Sequence, residues 1–195
     1  ITQVAGISNV LVVHPSVPAR TLRELIALAK DKPGQLNYAS AGAGSSPHMS
    51  MELLKHMAGI DLQHIPFKGT GPAMTEVLAG RIAALFSNML TAKPLIEAGN
   101  LRALAVSGPK RVTALRDVPT VAEAGVPGYS ALQWYGVLAP AGTPQPVIDK
   151  VAALIAESLR APEVRERLAQ DGAEPVGSSP AEFSALVRSE LVKWA

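Results

Sequence analysis

Three short loops hold the residue types best suited to chemistry. The first is residues 38–48, YASAGAGSSPH, which follows a strand-like run and opens a helix-like one. Gly42 and Gly44 let the backbone come close to a ligand. Ser45 or Ser46 can cap a helix that starts near Pro47. A helix start offers unpaired N–H groups and partial positive charge, so it suits an anion. Ser40, Ala41 and His48 complete this loop. His48 either donates to an anion or caps its own helix, and the loop as a whole can also be an ordinary strand-to-helix turn. The second loop, residues 67–72, sets Gly69, Thr70 and Gly71 ahead of Pro72. The third places Ser87 and Asn88 directly after a strand. Parallel strands bring such loops to one sheet edge, where ligands of open α/β sheets sit. The pocket expected there is polar and mostly uncharged, suited to holding a ligand by amides and hydroxyls. It supplies no acid–base pair.

The same loops fail the tests for common catalytic motifs. A phosphate loop needs Gly-Lys-Ser/Thr at its end, and none is present. A dinucleotide loop needs glycine where Pro47 stands. No G-x-S-x-G elbow occurs. His14, His48, His56 and His64 lack metal spacing. His14 and His64 fall at strand ends and read as structural; His56 reads as a helix-surface residue. The carboxylates fall mainly on helices. There is no cysteine, which removes disulfides, zinc thiolates and thiol catalysis. Net charge is +2, with basic residues scattered and no aromatic-laced basic patch, so nucleic acid is not an expected partner. No catalytic residue, metal ligand or cofactor is assigned.

The elements that must position these loops alternate. Strands are predicted over 9–14, 36–39, 61–65, 82–86 and 101–106. Helices are predicted over 21–30, 47–58, 72–79 and 92–98. Thr21 and Glu24 form a capping box on the first helix. Alternation with short links predicts an α/β sandwich with a mostly parallel sheet. Residues 107–128 change character, with one short helix signal at Thr120 and Glu123. A strand over 133–139 follows. Trp134 and Tyr135 point to its opposite faces, where one ring covers a pocket or both pack in a core.

Three helices close the chain, over 145–159, 163–171 and 181–194. Their apolar residues include Val147, Leu154, Phe183 and Leu191. One strand is too little sheet to cover them. Either a partner lobe is incomplete, or they pack on the sheet already described. No apolar run reaches the ~20 residues that span a bilayer. The opening ITQVAG is already strand-like, without a charged leader or methionine, and reads as a processed or truncated piece.

The motifs HPSVPARTLRELIALAKDKPGQLNYASAGAGSSPH, HIPFKGTGPAMTEVLAGRI, AGNLRALAVSGPKR, DVPTVAEAGVPGY, WYGVLAPAGTP and GAEPVGSSPAEF run over essentially the whole chain. Together they resemble the tripartite tricarboxylate transporter substrate-binding receptors, the Bug family. The resemblance implies a two-lobed periplasmic clam-shell receptor with Rossmann-like lobes. It would capture a small carboxylate and deliver it to membrane permease subunits, with no enzymatic step and no insertion into the membrane itself. A sensor feeding a signalling partner, or an α/β enzyme, are the alternatives. Residues 15–125 would form the second lobe. Residues 1–14 and 126–195 would form hinge strands and part of the first, whose remainder is missing. Ser87 departs from the aspartate frequent in the family, which favours plain carboxylates over amino acids.

Overall fold

The computed structural model describes residues 1–170 and 172–194. The chain falls into two units, one of Ile1–Ile7 with Gln133–Ala195 and the other of Ser8–Leu132. The second unit is wider than the expected 15–125 lobe because the strand before residue 14 lies inside its sheet. That sheet contains β2 (Val10–Val13), β3 (Asn37–Ser40), β4 (Gln63–Pro66), β5 (Ala84–Ser87) and β6 (Arg102–Val106), in the order β4-β3-β5-β2-β6. All four residues of β2 are buried, as a short apolar run bounded by polar residues should be.

The pairing corrects the expectation of a mostly parallel sheet. β3 runs parallel to β4 and β5, but β2 runs antiparallel to both β5 and β6. The sheet is mixed. The end of β2 at Val13 lies beside Ala84 and Arg102, the starts of β5 and β6. β3 also starts at that edge, so helix α1 (Leu22–Asp31) and its flanking loops begin and end on one edge. They do not form a parallel crossover.

Alternate strand residues face opposite sides. On one side Val10, Val12, Ala39 and Leu85 pack with Ala73, Met74 and Val77 of α3 (Thr70–Leu78) and Met89 and Ala92 of α4 (Met89–Glu97). On the other, α2 (Ser46–Ala58) buries Met51 and Leu54. The Thr21 hydroxyl accepts from the Glu24 amide at 3.2 Å and starts α1 as read, but the Glu24 carboxylate accepts the Arg20 amide at 2.6 Å, one residue before the cap. The Thr120–Glu123 signal makes both bonds of a capping box, at 2.9 and 3.1 Å, but caps only a turn. Gly125, at φ 124°, and Pro127 stop it from propagating.

In the first unit, β1 (Thr2–Ser8) lies between β7 (Leu132–Val137) and β8 (Ala173–Pro175). Its helices are α5 (Gln145–Ser158), α6 (Pro162–Gln170) and α7 (Pro180–Trp194). Position 171, expected in the second of these helices, lies outside the described residues. β8 escaped the sequence reading because it is three residues long and contains proline. Trp134 meets Phe183 edge-on, ring centroids 5.5 Å apart, while Tyr135 is exposed. The apolar faces are only partly covered: Phe183 and Ala152 are buried, but Val147, Leu154, Leu191 and Val192 are exposed.

Candidate functional site

The carboxyl ends of β3, β4 and β5 each open into one of the three loops. Direct backbone bonds tie the first two together: Phe67 N–H donates to Ser40 O at 3.0 Å and Gly69 N–H to Ala41 O at 3.2 Å. Ser87, at the end of β5, pairs with Val10. Asn88 caps α4, its Oδ1 accepting the Thr91 amide at 2.8 Å. Gly42, Gly44 and Gly69 have φ of 130°, 76° and 109°, backbone that a side chain rarely adopts.

The predicted residues divide by role. Ser40 and Ser87 are fully buried. Ser40 Oγ accepts the Gly42 amide at 3.1 Å and lies 2.6 Å from His64 Nε2, so it holds the loop from beneath. Ser87 Oγ donates to the carbonyl of Asn88 at 3.2 Å. Neither hydroxyl stands at the open surface. Ser45 caps α2 in conformation but not by side chain; its hydroxyl donates to Gly42 O at 2.6 Å. His48 Nδ1 accepts the Gly44 amide at 3.1 Å. Among the described residues, the amides of Ser46 and His48 at the start of α2, and of Thr70 and Gly71 at the start of α3, have no acceptor in the chain. These are the orphan N–H groups of helix starts.

Sequence reasoning missed Asn9, Ser107 and His64. Asn9 is buried; its Nδ2 donates to Ser46 Oγ at 2.8 Å and its N–H to Ser107 Oγ at 2.9 Å. A parallel β2 would put Asn9 at the far edge, and the antiparallel pairing brings it here. His64 is no isolated strand-end histidine. It stacks between His48 and Tyr38, at centroid distances of 4.1 and 4.9 Å. The Tyr38 hydroxyl donates to Glu52, which Lys55 also contacts at 2.8 Å. Burial and the bond to Glu52 hold the Tyr38 phenol protonated far above its ordinary range. Burial, then repulsion from His48, lowers the pKa of His64. By contrast, His14 accepts a Ser16 amide in a local turn. No group of three or more His, Cys, Asp or Glu residues placed to hold a metal occurs among the described residues. No described helix is long and apolar enough to cross a membrane.

The three loops thus form an α/β sheet edge that presents helix-start amides and hydroxyls. Several solved structures share this fold. Rpa4515 of R. palustris, solved with adipate, superposes with a TM-score of 0.86 at 36% identity, covering 100% of this chain and 65% of that one. BugD, a periplasmic binding protein, gives 0.83 at 31%, covering 100% and 66%. MatC of Rhodopseudomonas palustris, with bound malate, gives 0.83 at 30%, covering 100% and 67%. The family model described as tripartite tricarboxylate transporter family receptor matches residues 1–195, and the chain belongs to that family of periplasmic, non-enzymatic receptors. Among curated relatives, a protein of the tcbD-tcbE intergenic region of a Pseudomonas species is 38% identical over 191 residues, covering 97% of this chain and 57% of its own length. BugT of Bordetella pertussis is 36% identical over 195 residues, covering 100% and 60%. The chain thus spans less than two thirds of these relatives.

Proposed function

We propose that the edge formed by Ser46, His48, Gly69, Thr70 and Asn88 captures a small carboxylate-bearing solute, which the whole receptor passes to the permease subunits of a tripartite tricarboxylate transporter. The observation that carries this is the pair of adjoining helix starts, α2 and α3, whose four amides are left without acceptors. Converging amides of this kind hold a carboxylate by charge-assisted bonds. Adipate and malate, bound by the two structural relatives, are the natural first ligands.

The architecture proposed with it is two-lobed. The Ser8–Leu132 unit is the complete lobe. The remaining unit, whose apolar residues are partly exposed, packs in the full receptor against further strands of the other lobe. Calorimetric titration of adipate and malate tests the site. Ser46→Ala should weaken binding about tenfold, the loss of one charge-assisted contact. Gly44→Val should weaken it more, because valine cannot hold φ of 76°. Glu157→Ala, on exposed α5, serves as control. Equal affinity in all three would move the ligand elsewhere.

A further inference from the structure

We propose that His64 and His48 act as a stacked positioning pair that sets the ligand loop, His64 through Ser40 to Gly42 and His48 directly to Gly44, so that a proton on His48 releases the Gly44 end. The inference rests on the proposed binding edge for its purpose, but its geometry stands apart from any ligand. Gly44 N–H donates to His48 Nδ1 at 3.1 Å, so that nitrogen carries no proton. His64 Nε2 lies 2.6 Å from Ser40 Oγ, which in turn accepts the Gly42 amide at 3.1 Å. The two rings are 4.1 Å apart with planes 27° apart. Both ends of the glycine turn therefore depend on imidazoles from different elements, α2 and β4, that touch each other.

Charge decides how the pair responds to acid. The groups facing it are Tyr38 from β3, and Glu52 and Lys55 from α2. Two cations at ring-stacking distance repel strongly. Burial and the neighbouring His48 both disfavour the proton on His64, with Lys55 adding to this and Glu52 opposing it. Histidine changes charge between about pH 5 and 8. A proton on His48 Nδ1 would turn that nitrogen into a donor facing the donor N–H of Gly44. That bond is lost, while the His64–Ser40–Gly42 chain persists. A proton on His48 also adds charge beside a bound anion, so affinity against pH mixes attraction with disorder. The amides report order alone.

The test is a pH titration of the isotope-labelled, unliganded chain by NMR from about pH 8 to about pH 5. The Gly44 amide should move in step with the His48 ring, and the Gly42 amide should stay. His64→Leu should displace the Gly42 amide at all pH, and His64→Gln, whose amide can still reach Ser40, should restore most of it. With adipate as probe, His64→Leu should bind about tenfold more weakly and His64→Gln within about threefold of wild type. A Gly44 amide that ignores His48, or a Gly42 amide indifferent to both variants, overturns the pair. If His64→Leu does not fold, His64→Gln and the wild-type titration still decide. A wild type that binds neither adipate nor malate overturns the ligand class and leaves the amide result to judge the pair.

Discussion

Asn9 illustrates how one side chain links elements. Its carbonyl accepts the Ser107 amide at 2.8 Å, its N–H donates to Ser107 Oγ at 2.9 Å, and its side chain reaches Ser46. Asn9→Ala removes the donor to Ser46 and leaves a buried gap. We expect a loss of about 1–2 kcal/mol in urea unfolding, with faster amide exchange in residues 41–46. Glu52 makes a second prediction. Burial pushes its carboxyl up, but the bonds from Lys55 and Tyr38, with the Lys55 charge, outweigh this and hold it below the usual carboxylate range. A lowered folded-state pKa contributes stability above the unfolded value and loses it as pH falls through the folded one. Stability should therefore decline below the ordinary carboxylate range, and Glu52→Gln should flatten that decline in urea titrations at stepped pH. An unchanged acid slope would show that Glu52 carries none of it.

At the scale of elements, β2 is the member on which the second unit depends. Leu11 is fully buried, and Leu11→Ala should cost about 2–5 kcal/mol, read from the denaturant midpoint. In the other unit, β7 and α7 meet at a glycine. A Cβ on Gly136 would lie 2.1 Å from Phe183 Cζ. Gly136→Ala must push the ring aside, and we expect a loss of about 1–3 kcal/mol. Phe183→Leu in the same background should recover part of it, whereas additivity of the two losses would deny the contact. Caps and helix stops were legible in the sequence because they are local: Thr21 with Glu24, and Gly59 in left-handed conformation after α2. The start of α4 was placed late, at 92, because the Asn88 cap was read only as a ligand residue.

Across the molecule, burial is uneven. Val10–Val13, Leu85 and Phe86 have no exposed surface, while Val192 is 81% exposed and Leu138 72%. Hydrogen exchange should be slowest in β2, β3 and β5 and fastest in α5, α6 and α7, since protection follows buried contact. The exposed apolar residues of α5 and α7 should also bind a hydrophobic dye. Leu154→Glu with Val192→Glu should reduce that fluorescence while changing stability by less than about 0.5 kcal/mol. A large destabilisation would show that these side chains are part of a core.

The sequence by itself determined the α/β class, the order of nearly all elements, the three loops and the family, because periodicity, caps, glycines and motif strings are local properties. Only the tertiary structure decided direction and pairing. β2 reads the same forwards or backwards, so its antiparallel course, and with it the arrival of Asn9 and Ser107 at the edge of the three loops, depends on which neighbours it bonds. The same holds for His64 and His48, 16 residues apart by number yet 4.1 Å apart as rings. A parallel β3–β4 pairing, with α2 returning over the sheet, makes that contact, and no local pattern encodes it.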